Sequence, residues 1–336
     1  MFELDELAQL DAIRAHPLVR SRVLIEIEGL PIWELTIGAE DTTVPTLGLY
    51  AGIHGNELIG SQVLLAWLEH TLNCLTWDRS LQERLTKMRI VSIPLINVTG
   101  LKNGTRCTSK GVDLMRNAPV EAVKPYVWPL AGQKISRHLP WYRGQTLAPE
   151  SQALIDSVMQ AHQKTSFMLA MDLHSGFGQH DRLWFPYAAH RMPPPHLAEA
   201  VALCDLFNTN YPLHDFYHIE PQSINYTTHG DLWDYLYDRA NDLENKLNND
   251  NNDALFLPYT LEMGSWLWLR KNPRQFFQRF GLFHPMLPHR LRRVLRQHWT
   301  ILDFLMRATA DYDQWLPDKL ARLSLHQAGI ERWYRR

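Results

Sequence analysis

The segment Gly52-Ile53-His54-Gly55-Asn56-Glu57 sets an imidazole and a carboxylate three residues apart, directly after an apolar run at 46–53. Both side chains bind divalent cations, so this spacing asks for a third ligand. Met171-Asp172-Leu173-His174-Ser175-Gly176 again places a histidine at the end of an apolar run, 167–173, and Tyr259-Thr260-Leu261-Glu262-Met263-Gly264 places a carboxylate at the end of another. Two neutral imidazoles and one carboxylate make a tetrahedral zinc site with its fourth position open, the arrangement of a catalytic metal. A nearby carboxylate, for which Glu262 is the candidate, then takes a proton from water and passes it to a leaving nitrogen, so amide hydrolysis is the chemistry these parts support. An HxxE pair alone is common on helix surfaces, and a lone buried histidine is more often a core residue. Four such side chains at strand exits, where α/β active sites are built, are a different matter. Asp172 reads as structural rather than as a ligand. Ser175 has no GxSxG elbow around it, which argues against a serine hydrolase.

The elements that must position these residues follow from the hydrophobic pattern. Runs at 46–53, 89–96, 167–173 and 255–263 are mostly apolar without alternation, as in strands buried on both faces. Stretches 23–28 and 33–37 alternate around Gly29-Leu30-Pro31 and predict a hairpin entering the sheet. Helical periodicity marks 58–72 and 150–164, Pro193-Pro194-Pro195 opens a helix over 196–208, Gly230-Asp231 caps one running to about Ala240, and 288–311 closes the chain as one long helix. Asn248–Asp253 reads as a polar, low-complexity loop. Strand and helix alternate, so the expected fold is α/β: a mixed, mainly parallel sheet flanked by helices on both faces, in one catalytic domain over 1–336.

Composition limits the partners. The 336 residues carry 34 basic and 36 acidic side chains, a net charge of −2, so no global field recruits nucleic acid or an anionic membrane. Arg290, Arg292, Arg293 and Arg296 gather on the last predicted helix and read as a solvated face. Cys74, Cys107 and Cys204 are odd in number and far apart, which points to a reducing compartment. With an acidic N-terminus that lacks a secretory pattern, the expectation is a cytoplasmic protein of open oligomeric state.

The order HxxE, Arg106, Gly111-Val112-Asp113-Leu114-Met115-Arg116-Asn117, His174-Ser175 and then a strand glutamate resembles the zinc carboxypeptidases of the carboxypeptidase A type, over about 46–264. The resemblance implies one zinc per chain on His54, Glu57 and His174, Glu262 as general base, and Arg106 as the group that stabilises the oxyanion. It further implies Asp113 hydrogen-bonded to the far nitrogen of His54, and Arg116, Asn117, Ser175 and Tyr226 in contact with a peptide substrate. One position departs from the family pattern: Met115 stands where an asparagine amide helps hold the terminal carboxylate. The same two histidine motifs also resemble the succinylglutamate desuccinylase and aspartoacylase branch, which implies an N-acyl amino acid substrate. The helical C-terminal pattern, in place of a β-rich domain, ranks that reading second. A third reading, a metal-binding protein without turnover, requires Glu262 to lie away from the metal. Trp266 and Trp268, alternating on a predicted strand end, are candidates either for a pocket wall or for the core.

Overall fold

The computed structural model describes residues 5–41, 43–241 and 254–335. The predicted hairpin is β1 (Val19–Ile27) and β2 (Leu30–Gly38), with a turn of only Glu28 and Gly29, at φ 52° and 75°. Two left-handed residues in succession match the twist of the strands they join, and Leu30 and Pro31 therefore lie in β2 rather than in the turn. Next come β3 (Thr46–Ala51), β4 (Arg89–Ile93), β5 (Phe167–Ser175), β6 (Asp181–Phe185), β7 (Tyr217–Pro221) and β8 (Leu255–Met263). They form one sheet in the order β1-β2-β4-β3-β5-β8-β6-β7.

The centre of this sheet is parallel: β4 with β3, β3 with β5 and β5 with β8. The four apolar runs supply these strands, and every residue of β3, β4 and β5 is buried. Antiparallel pairings carry β2 onto β4 and β6 onto β8. Strands β6 and β7 are short and half polar, and the hydrophobic pattern did not announce them.

Ten helices are described: α1 (Asp5–Arg14), α2 (Leu58–Cys74), α3 (Arg79–Leu85), α4 (Val98–Asn103), α5 (Pro149–His162), α6 (Leu197–Asn210), α7 (Leu232–Ala240), α8 (Trp266–Lys271), α9 (Pro288–Ala310) and α10 (Lys319–Gly329). Helix α2 lies on β3 and β5 and is covered in turn by α9, which explains why it is apolar nearly all round. On the other face α5 packs against α7, and α7 against β8. Asp231 caps α7 as anticipated, accepting hydrogen bonds from the N–H groups of Trp233 and Asp234. Two expectations change. The chain does not close with α9, because α10 follows and packs on α6; and Trp266 and Trp268 sit on α8, not on a strand end. The Asn248–Asp253 run lies outside the described residues. Cys74, Cys107 and Cys204 are unpaired, and among the described residues no helix is long and apolar enough to cross a membrane.

Candidate active site

His54 and Glu57 lie in the bend that leaves β3 and enters α2. The bend is pressed against α4: a Cβ on Gly55 would come within 2.1 Å of the Gly100 backbone, so only glycine fits. Asn97 holds the same bend by donating to the carbonyls of Ile53 and Arg106. His174 and Glu262 are the next-to-last residues of β5 and β8, and the parallel pairing places the two opposite each other in register. Neighbours in register share a face of the sheet, which brings the base candidate to the metal-site histidine.

The ligand atoms of His54, Glu57 and His174 all lie within 4.8 Å of one another, and all three residues are buried. One Glu57 oxygen lies 3.1 Å from Nδ1 of His174 and accepts the Ser175 N–H at 2.9 Å; the other accepts from Arg106 Nη1 at 3.1 Å. Burial opposes ionisation of Glu57, but the imidazoles of His54 and His174, the latter within hydrogen-bond reach, and the Arg106 guanidinium outweigh it and bring its carboxyl down to about 2. Burial, and after it the Arg106 charge, hold His54 well below the usual imidazole range. The Nδ1 of His54 is buried without a hydrogen-bond partner. A neutral imidazole, a second imidazole and an ionised carboxylate converging on one point are the donor set that zinc takes.

The groups behind this set are partly as anticipated. Nε2 of His174 is 2.5 Å from Asp172 Oδ2, which also accepts from Trp233 Nε1 at 2.8 Å, so Asp172 is a fully buried anchor for that ring. Asp113 was expected to bond His54, yet its Oδ1 is 3.8 Å from Nδ1, beyond hydrogen-bond reach; its other oxygen accepts from Arg106 Nε at 2.8 Å. Arg106 thus bridges Asp113 and Glu57 and keeps Nη2 for other partners. Glu262 accepts from the Phe177 N–H, and burial followed by the Glu57 charge pushes its carboxyl up to about 8.

A cavity of about 470 Å³ opens onto these residues. Arg116 lines it, only 5% exposed, with its guanidinium donating to the Met115 and Leu130 carbonyls and pairing with no carboxylate among the described residues. Met115 lines the cavity beside it. Tyr226 is on the wall too, its phenol pushed up to about 12 by burial. Asn117 is not: its amide is consumed by the carbonyls of Arg143 and Thr146 and the N–H of Ala148, so the substrate contact expected of it is replaced by a loop-holding role. Ser175 lines the cavity, but its N–H goes to Glu57 and its hydroxyl to the Phe283 carbonyl.

Aromatic walls come from Tyr126, Phe177, Trp184, Trp266 and Phe283. Of the two tryptophans flagged on the sequence, Trp266 faces the cavity, whereas Trp268 is buried away from it. Thr260 also faces the cavity, two residues before Glu262, a position that strand periodicity alone would have found. Tyr126 and Tyr226 approach at 6.3 Å between ring centres, and their segments are joined along the main chain: Tyr126 donates to Thr227, Ala118 to Gly230, Gly230 to Val120 and His229 to Ala131.

The zinc carboxypeptidase family model matches residues 15–264. No curated protein matches the sequence. Among solved structures, carboxypeptidase A from Helicoverpa armigera is similar at 17% identity and TM-score 0.66, over 91% of this chain and 71% of its own. A structure of thrombin activatable fibrinolysis inhibitor is similar at 15% and 0.64, over 91% and 72%. The bovine form of that protein, in complex with a tick carboxypeptidase inhibitor, is similar at 16% and 0.60, over 98% and 96%. At these identities the likeness is one of fold.

Proposed function

The chain belongs to the zinc carboxypeptidase family and is a zinc-dependent hydrolase, and we propose that it removes the last residue of peptides with a free C-terminal carboxylate. The observation that carries this reading is Arg116, a buried guanidinium without a carboxylate partner among the described residues, in the same cavity as the metal-binding set and Glu262. A buried charge left unpaired is costly, so an anionic ligand is its natural complement.

In this proposal His54, Glu57 and His174 hold the zinc. A zinc ion held there would supply Lewis acidity for the scissile carbonyl and for water at neutral pH. Arg116 takes the terminal carboxylate and fixes which bond is presented. Arg106, with Nη2 uncommitted, donates to the carbonyl oxygen as negative charge grows on it. Glu262 accepts the proton of the attacking water and delivers it to the leaving nitrogen; burial raises its basicity towards what that transfer needs. Tyr226 stays protonated and donates from the cavity wall, while the aromatic side chains exclude bulk water.

Met115 favours a second reading. With no amide beside Arg116 the carboxylate is held less completely, which suits N-acyl amino acids as well as peptides. Blocked dipeptides with a free terminus, the same dipeptides amidated, and N-acyl amino acids separate the readings. Equal rates on free and amidated peptides would show that no terminal carboxylate is read. The three unpaired cysteines support a cytoplasmic placement, which cell fractionation tests.

A further inference from the structure

Residues 264–302 hold eight of the chain's 34 Lys and Arg residues and none of its 36 Asp and Glu residues. In a chain of net charge −2 this is a strong local segregation, and it adjoins the active site. Trp266 and Phe283, from this segment, line the catalytic cavity, while Gly264, Leu267 and Trp268 line a second cleft of about 390 Å³. The Gly264–Trp268 stretch, held by the bonds Trp266 N–H to Gly178 and Gly264 N–H to Asp181, is therefore the wall between the two.

The second cleft is basic. Lys271, His289, Arg290 and Arg293 line it, with Asp181 and Asp215 as its acidic members. Asp181 is already used by Gly264 and Gln297. Arg290 donates only to the carbonyls of Trp268 and Lys271, and neither it, Lys271 nor Arg293 meets a carboxylate among the described residues. Cations that crowd a concave surface without counter-charges repel one another, and an anionic ligand relieves that repulsion.

We propose that this cleft binds an acidic stretch of the substrate, N-terminal to the residue that is cleaved. The proposal rests on the peptidase reading: with the terminal carboxylate on Arg116, the rest of a peptide must leave the cavity along its walls, and the basic segment forms one of them. Asp215, exposed and without a hydrogen-bond partner among the described residues, favours a peptide over a nucleic acid. A carboxylate there can accept the main-chain N–H groups of a peptide, which a phosphodiester lacks.

The test uses octapeptides that share one C-terminal residue and carry upstream either three glutamates or three glutamines, with a blocked dipeptide as the reference substrate. Wild type should prefer the acidic octapeptide by about tenfold in kcat/KM at low ionic strength, and the preference should fade at about 0.5 M salt. Lys271→Gln combined with Arg293→Gln, two side chains that make no hydrogen bond among the described residues, should abolish the preference and leave the dipeptide rate unchanged. A wild-type ratio near one, or a ratio the double variant keeps, overturns the proposal. A dipeptide that is not cleaved at all overturns the peptidase reading instead. Fluorescence anisotropy of a labelled, amidated acidic octapeptide then still reads the cleft: binding lost in the double variant supports it, and no binding by wild type rejects it. Displacement of that peptide by a single-stranded RNA of equal charge, at lower concentration than by unlabelled peptide, overturns the choice of occupant.

Discussion

Asp172 and His174 share one face of β5, two residues apart, and the carboxylate grips Nε2 of the ring at 2.5 Å while Trp233 Nε1 grips the carboxylate. The contact fixes which nitrogen of His174 is presented towards Glu57 and raises the basicity of the ring. Asp172→Asn should therefore weaken zinc binding about 10- to 100-fold, measured by chelator competition. An unchanged affinity in a folded variant would reduce Asp172 to packing. His174→Ala should lose the metal outright, and full zinc occupancy there would refute the ligand assignment.

Glu262→Gln should keep zinc while turnover falls roughly 10²- to 10⁴-fold, since the carboxylate acts on a proton and not on the metal. Metal analysis and rate are measured on the same preparation. Loss of zinc with activity would make Glu262 a ligand.

Arg106→Ala should lower kcat about 10²- to 10³-fold, the size expected of an oxyanion donor. Because Arg106 also ties Asp113 to Glu57, zinc affinity should drop with it. A change confined to KM would assign Arg106 to binding alone.

Met115→Asn should raise kcat/KM on free-terminus peptides by about tenfold, since a thioether cannot donate and a charge-assisted hydrogen bond contributes roughly 1.5–3 kcal/mol. Amidated peptides serve as the control. An equal gain on both would mean that the new amide does not meet the carboxylate.

The strands that carry the site were legible because each is a short apolar run ending in a polar residue, and a strand buried on both faces leaves that signature in any order of pairing. That is why His54, His174 and Glu262 could be placed before β6 and β7, whose Arg182 and His218 interrupt the pattern. The walls were harder. Tyr126 comes from an irregular segment, and nothing in its neighbours says which way it turns. Asn117 shows the opposite failure: a residue inside a matching motif whose amide the backbone had already taken. Asp172 was read as structural, and only its distance to His174 Nε2 reveals what it holds.

The joining of the Tyr126 and Tyr226 segments bears on how the cavity admits and releases its contents. Bonds running from Ala118 to His229 tie the backbones of these two stretches into one unit. Opening would break several main-chain bonds at once, and the amides of Ala118, Tyr126, His229 and Gly230 should then share one hydrogen-exchange rate. A common rate that slows when a substrate analogue is bound would tie turnover to the breathing of that unit rather than to the rotation of one phenol.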